Sequence, residues 1–287
     1  MVLLVTLIAV GCRPEKPPVE KPVVVAAGDI TTCSGTGDEA TAKLVGGIDG
    51  STVLPLGDEA YPDGSAEDFN ECYDRTWGRF KGRTKPVPGN HDYETPNAEG
   101  YFDYFGKADG DPDKGYYSYD LGDWHLIALN SNCEEVGGCG ASSPQVQWLK
   151  ADLAANEEKA CTLAYFHHPL FTSGRYRPGI PKVRPLWEAL YKAGADVVLN
   201  GHDHNYQRFA PQDPEGRADS ERGIREFVVG TGGKSHYAIS DPLPNSEVYN
   251  DESYGVLKLT LHSKSYEWRF VPVRGEKFTD SGGDRCH

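Results

Sequence analysis

A chain of 287 residues with 38% hydrophobic content is long enough to bury a full core, and an α/β fold of this length is commonly a single domain. Its formal net charge of -14 opposes binding to nucleic acid or to anionic membrane surfaces, because the protein and those partners repel. A phosphate-bearing ligand must then be held by local positive charge, which bound cations would supply.

The chain opens on a mostly apolar run, Val2 to Val10, too short to span a bilayer comfortably. It ends in Ala9-Val10-Gly11-Cys12, which resembles a bacterial lipoprotein processing site with Cys12 as the lipidated residue; an ordinary signal peptide is the alternative. Residues 1–12 are thus read as a lipoprotein-type signal segment, with the protein exported and a lipid anchor its only link to the membrane. Residues 13–22 carry too much proline and charge to pack and are expected to form an extended stalk. The folded domain is expected over residues 23–287. Beyond Cys12, six cysteines remain, an even number suited to disulfides in an oxidising compartment. Cys133 and Cys139 flank a short Gly-containing stretch and form the preferred pair. Zinc binding by the thiols is the rival reading, without a C-x-x-C spacing to support it.

Within the domain, Val23 to Ala27, Thr52 to Leu56, Trp124 to Leu129, Thr162 to Phe166 and Val197 to Leu199 are short apolar runs bounded by Gly, Asn or Asp, the pattern of buried strands. Between them, Asp38 to Val45, Ser143 to Ala155 and Val183 to Ala193 have helical spacing. In the second of these, Ser143-Pro144 marks the start and Val146, Leu149 and Leu153 the inner face. Ile224 to Val229, Tyr254 to Leu261 and Tyr266 to Val273 follow as strands without intervening helices. This order predicts an α/β fold of four layers, α/β/β/α, with two mixed sheets flanked by helices.

Seven potential metal ligands stand at the ends of these runs: Asp29 in Gly28-Asp29, Asp58 and Tyr61 in Gly57-Asp58-Glu59-Ala60-Tyr61, Asn90 in Gly89-Asn90-His91-Asp92, His167 in His167-His168-Pro169, and His202 and His204 in Gly201-His202-Asp203-His204. Each motif alone is weak, since Gly-Asp is usually a turn and His-x-His usually a solvated loop. Five together, each after a strand-like segment, point to a two-metal hydrolase. In open α/β folds ligands gather at the carboxyl ends of strands, which is where these residues fall. Carboxylate and phenolate oxygens favour a trivalent or small divalent cation, while imidazoles and an amide oxygen suit Zn, Mn or Fe.

From Val23 to Val273 these motifs resemble the purple acid phosphatase branch of the calcineurin-like metallophosphoesterases. Tyr61 is the specific mark, because the spacing Gly-Asp-x-x-Tyr distinguishes that branch. The resemblance implies that Asp29, Tyr61 and His204 hold a ferric ion, that Asn90, His167 and His202 hold a divalent ion (Fe, Zn or Mn), and that Asp58 bridges the two. It also implies His91 at the substrate, with Asp92 orienting it from behind. The implied reaction is hydrolysis of a small phosphate monoester by in-line attack. Two cations clamp the phosphoryl oxygens and make hydroxide available below neutral pH, and His91 protonates the leaving alkoxide. A phosphodiesterase or nucleotide-cleaving enzyme with the same core is the enzymatic alternative. A surface lipoprotein that only captures phosphate is the alternative of another class.

For substrate recognition, His168 follows a ligand directly, and Thr172-Ser173-Gly174-Arg175-Tyr176-Arg177 brings Arg175 and Arg177, which can grip phosphate in a bidentate way. The alternation of Arg79, Lys81, Arg83 and Lys85 is read as the solvated face of a strand edge. Gly230-Thr231-Gly232-Gly233 lacks the Lys-Ser/Thr of a phosphate loop and is read as a strand-terminal turn. His236, nearby, has no assigned role.

Overall fold

Two mixed sheets form the frame of the computed structural model, which describes residues 21–111 and 114–287. The first sheet has five strands in the order Ser281–Arg285, Ser265–Pro272, Gly255–His262, Val23–Ala27 and Thr52–Pro55. Val23–Ala27 pairs in parallel with Thr52–Pro55 and antiparallel with Gly255–His262. The second sheet has seven strands in the order Ser246–Asn250, Tyr206–Phe209, Arg225–Val229, Val197–Asn200, Cys161–Tyr165, Trp124–Ala128 and Tyr117–Leu121. Its four central strands, Arg225–Val229 to Trp124–Ala128, run parallel, and the outer strands turn antiparallel. A small parallel pair, Thr31–Thr32 with Ala60–Tyr61, ties two of the motif loops together.

Because successive side chains of a strand point to opposite faces, the central apolar runs feed two cores at once. Leu126, Leu163, Val197, Leu199 and Phe227 face the first sheet and join Val25, Leu54, Leu257 and Phe270 in one cluster. Their neighbours Ile127, Ala164, Phe166, Val198 and Val228 face outward and are covered by two helices, Pro144–Ala155 and Arg184–Lys192. Val146, Leu149, Leu186, Trp187 and Leu190 from those helices are fully buried there, and each such side chain contributes about 1.5–3 kcal/mol. Ser143 caps the first of the two, its Oγ accepting from the Val146 N–H at 3.3 Å. The helix Gly37–Gly46 packs on Gly255–His262, completing the expected four-layer α/β/β/α arrangement.

The basic stretch departs from expectation. Trp77–Arg83 is a 3-10 helix, not a strand edge carrying Arg79, Lys81, Arg83 and Lys85. Its registry is set by Trp77, which is fully buried with its indole N–H donating to Thr41 Oγ1 at 3.0 Å, and by Arg83, which donates to the Val45 carbonyl at 3.0 Å. Extended pairing begins only afterwards, where Lys85 and Val87 donate to Val53 and Pro55. Pro86 and Pro88 have no N–H to give, so this run lies along the sheet edge without becoming a ladder strand.

Three disulfides join Cys33 to Cys72, Cys133 to Cys139 and Cys161 to Cys286. The expected Cys133–Cys139 pair forms, and zinc binding by free thiols is set aside for all six cysteines. Cys12 lies outside the described residues, as does the signal segment and all but the end of the stalk. Among the described residues no helix is long and apolar enough to cross a membrane.

Candidate metal centre

All seven expected ligands converge at the carboxyl ends of the parallel strands, where backbone turns aim them at one point. Three of those turns are strained. Asp29, Asp58 and His202 adopt left-handed backbone with φ of 58°, 52° and 69°, a conformation L residues avoid at about 1–3 kcal/mol each. Space is equally tight: a Cβ on Gly89 would meet Asp58 Oδ1 at 2.1 Å, so only glycine lets the Asn90 loop approach the Asp58 carboxylate.

The ligand atoms fall into two triads. In the first, Tyr61 OH lies 3.0 Å from Asp29 Oδ1 and 3.2 Å from His204 Nε2, and His204 Nε2 lies 3.2 Å from Asp29 Oδ1. In the second, His167 Nε2 lies 3.2 Å from Asn90 Oδ1 and 3.1 Å from His202 Nδ1. Asp58 Oδ2 touches both, at 2.9 Å from Tyr61 OH and 3.4 Å from His167 Nε2. Ligands about 2.1 Å from a cation at right angles to one another are about 3.0 Å apart, so these spacings are those of a cation's coordination shell. The donor sets differ, with two oxygens and one imidazole on one side and two imidazoles and an amide on the other. The first suits the harder ion and the second a borderline divalent one.

Second contacts fix the rings. His167 Nδ1 lies 2.8 Å from the Leu56 carbonyl oxygen and His204 Nδ1 2.8 Å from that of Ser235, so each Nδ1 carries its proton and turns Nε2 toward the centre. Without a cation, burial opposes the charge on His167, but Asp58 outweighs it and lifts the imidazole pKa to about 9. The same pairing, acting against burial, holds Asp58 well below the usual carboxylate range.

His91 stands beside the triads without joining them. Its ring centre is 4.5 Å from that of Tyr61, its backbone N–H donates to Asp58 Oδ1 at 2.8 Å, and its Nδ1 is 2.6 Å from the Pro62 carbonyl oxygen. Asp92 does not orient it. Instead Asp92 is fully buried behind the centre, with Oδ2 accepting from the Asp58 N–H at 3.0 Å and the Gly89 N–H at 2.8 Å. It braces the backbone of Asp58 and Gly89, whose N–H groups it accepts.

Glu59, unremarked in the sequence, completes this inner layer. It is fully buried, and neither of its carboxyl oxygens nor Asp92 Oδ1 meets an N–H or O–H donor. Burial first and the facing Asp92 second push Glu59 well above the usual range, and burial brings Asp92 to about 6.

Of the three expected substrate contacts, two lie beside the triads. His168 is buried, 4.4 Å from His202 between ring centres, and Ser131 Oγ accepts its backbone N–H at 3.0 Å while lying 2.8 Å from Nδ1. Burial and the neighbouring His167 and His202 keep it neutral. With the Ser131 proton given to Nδ1, Nε2–H is left as a donor. Arg175 lies 4.8 Å over the ring of Tyr237, which itself stacks on His204 at 3.9 Å, and among the described residues the guanidinium makes no ion pair. Arg177 differs: its guanidinium is engaged by Asp241 at 2.9 Å. Asp203 holds this loop, accepting from Thr172 Oγ1 at 2.5 Å and the Arg175 N–H at 3.1 Å. Tyr176, the aromatic of the same loop, stacks on His202 at 4.0 Å.

The sequence profile of the calcineurin-like phosphoesterase family matches residues 17–206, which contain every candidate ligand. Among known proteins, the chain is 30% identical to acid phosphatase type 7 of Homo sapiens over 186 residues, 55% of this chain and 41% of that protein. It is 30% identical to purple acid phosphatase 15 of Arabidopsis thaliana over 149 residues, 46% of this chain and 27% of that protein. Matches thus span less than half the length of these curated relatives. Among solved structures, purple acid phosphatase PPD1 from yellow lupin seeds shares the fold with a TM-score of 0.74 at 18% identity, covering 94% of this chain and 55% of that one. GAP50, the anchor in the inner membrane complex of Plasmodium, superimposes with a TM-score of 0.70 at 14% identity over 94% of this chain and 90% of that one. Two ligand triads joined by one carboxylate, on this fold and under this profile, make the chain a purple acid phosphatase-like member of the calcineurin-like phosphoesterase family.

Proposed function

We propose that this protein is an exported, dinuclear metal-dependent phosphatase acting on phosphomonoesters, with a ferric ion at Asp29, Tyr61 and His204 and a divalent ion at Asn90, His167 and His202. The observation that carries the reading is Asp58 Oδ2, placed within 3.4 Å of both triads as a shared ligand must be. The ions, once bound, supply charge to the phosphoryl oxygens and acidify water below neutral pH. The chain's own residues do the rest. His168 offers a neutral Nε2–H to a phosphoryl oxygen, and Arg175, in no ion pair among the described residues, brings a guanidinium beside the triads of a strongly acidic protein. His91, anchored through Nδ1–H, presents Nε2 to the leaving oxygen and donates a proton there as the ester bond breaks.

Export is supported by three disulfides, which persist in oxidising compartments. A lipid on Cys12 would hold the protein in the membrane fraction, and Cys12→Ala would release it. Function is tested by metal analysis together with a panel of mono- and diesters. The expected result is two metals per chain, a pink to purple colour when iron is loaded, and higher kcat/KM for monoesters. Faster turnover of diesters overturns the substrate class, and binding of phosphate without turnover overturns catalysis.

A further inference from the structure

We infer that Lys234, outside the region matched by the family profile, tunes the ferric site by laying its ammonium on the ring of Tyr61. The inference rests on the proposed role of Tyr61 as a phenolate ligand. Its Nζ lies 4.2 Å from the Tyr61 ring centre, within the range of a cation–π contact. Among the described residues Lys234 makes no ion pair, although acidic residues outnumber Lys and Arg by 43 to 29 and the Arg side chains of the second sheet are taken up by carboxylates.

The backbone shows that this placement is built. Lys234 N–H donates to the Asp29 carbonyl at 2.9 Å, so the residue is fastened to a ligand-bearing loop. Two residues earlier, the Gly232 N–H donates to the Gly28 carbonyl at 2.9 Å, and a Cβ on Gly232 would meet that same oxygen at 2.5 Å. The glycine stretch, which is the strand-terminal turn expected after Arg225–Val229, therefore exists to lay this loop flat against Gly28-Asp29, and Lys234 is the first side chain to leave it.

The consequence is electronic. The Tyr61 oxygen lies 3.0 Å from Asp29 and 2.9 Å from Asp58, two carboxylates that raise the energy of electrons on the phenol. An ammonium over the ring face lowers it. Phenolate-to-ferric charge transfer moves an electron off that ring, so a cation held against it raises the transition energy, and removing the cation lowers it. Lys234 is thus a positioning residue that acts through Tyr61.

The test is the visible spectrum of the full chain loaded with ferric iron, compared among wild type, Lys234→Met and Lys234→Arg at equal iron content. The Met variant should move its absorption maximum to longer wavelength by on the order of tens of nanometres, and the Arg variant should stay near wild type. Loss of iron from the Met variant alone, with iron kept in the Arg variant, also supports a role of the charge. Equal maxima in wild type and Lys234→Met overturn the inference while leaving Tyr61 a ligand. A colourless wild type overturns it together with the ligand reading, so the two failures are told apart.

Discussion

His91 is the residue whose replacement best separates proton donation from metal binding. Its Nδ1 lies 2.6 Å from the Pro62 carbonyl, an acceptor only, so Nδ1 carries a proton and Nε2 is the atom left for substrate. His91→Ala removes the ring yet keeps the backbone N–H that donates to Asp58 Oδ1 at 2.8 Å, so both triads should retain their ions. A positioned acid contributes about 10²- to 10⁴-fold, which is about 2.7–5.4 kcal/mol of barrier. That full loss is expected for alkyl phosphates, whose alkoxide leaves only with a proton. It should shrink toward tenfold or less for p-nitrophenyl phosphate, whose leaving group needs none. The assay is kcat/KM across esters of graded leaving-group pKa, with metal content measured on each sample, and the dependence should steepen in the variant. An equal loss for every ester refutes proton donation and makes His91 a phosphate contact. Loss of an ion makes it a ligand.

Arg175→Ala should raise KM for phosphomonoesters about tenfold, one charge-assisted contact, whereas Arg177→Ala, whose partner is an exposed Asp241, should change it less than about twofold; steady-state kinetics that reverse this order refute the assignment. His125 is buried with Asp152 2.8 Å from Nε2 and Asp120 3.0 Å from Nδ1; burial lowers its pKa, but the two carboxylates prevail and raise it above the ordinary value. Its folded pKa being the higher, this contact stabilises fully below the unfolded pKa and fades as pH rises through the folded one, so the melting-temperature gap between wild type and His125→Gln should narrow with increasing pH, and a constant gap refutes the charge pairing. Trp187→Ala, emptying the outer core, should cost about 3–5 kcal/mol in urea unfolding, and a loss below about 1 kcal/mol would mean that the helices do not rest on it. Chelation should lower the melting temperature, since an ion present at 1,000 times its Kd stabilises by about 4.1 kcal/mol, and coincident melts with and without chelator would sink the metal centre.

The central strands were legible because they are buried on both faces. Val23–Ala27 reads as a continuous apolar run and Trp124–Ala128 as one broken only by His125, and a motif residue after such a run must fall at the carboxyl end of its sheet. The edges were not. Ser246–Asn250 and Ser281–Arg285 have sequences that could equally be loops, and only pairing with Tyr206–Phe209 and Ser265–Pro272 makes them strands. Charge alternation misled at Arg79 to Lys85, because a buried Trp77 outweighs the spacing of exposed cations. In the site, motifs named the ligand atoms but not the layer behind them. Glu59 occupies a position the motif leaves open, and Asp92 sits next to His91 in sequence while its carboxyl turns to the Asp58 and Gly89 amides. Adjacency along the chain says nothing of which donors a buried carboxylate finds.

Gly201-His202-Asp203-His204 shows why the spacing of a motif can be a geometric requirement. His202 and His204 belong to different triads, and the Asp58 carboxylate touches both, so on the proposed dinuclear reading ions held there would be neighbours sharing one ligand. One intervening residue sends two imidazoles to neighbouring triads, and the left-handed backbone at His202 provides the bend. That leaves Asp203 pointing elsewhere, and it is spent on the Arg175 loop, where it accepts from Thr172 and from the Arg175 backbone. The same four residues therefore set the spacing of the two triads and tie the Arg175 loop to them. A phosphate ester held by Arg175 and by ions in the two triads, as proposed, would have to fit both spacings at once, which ties its recognition to this one loop.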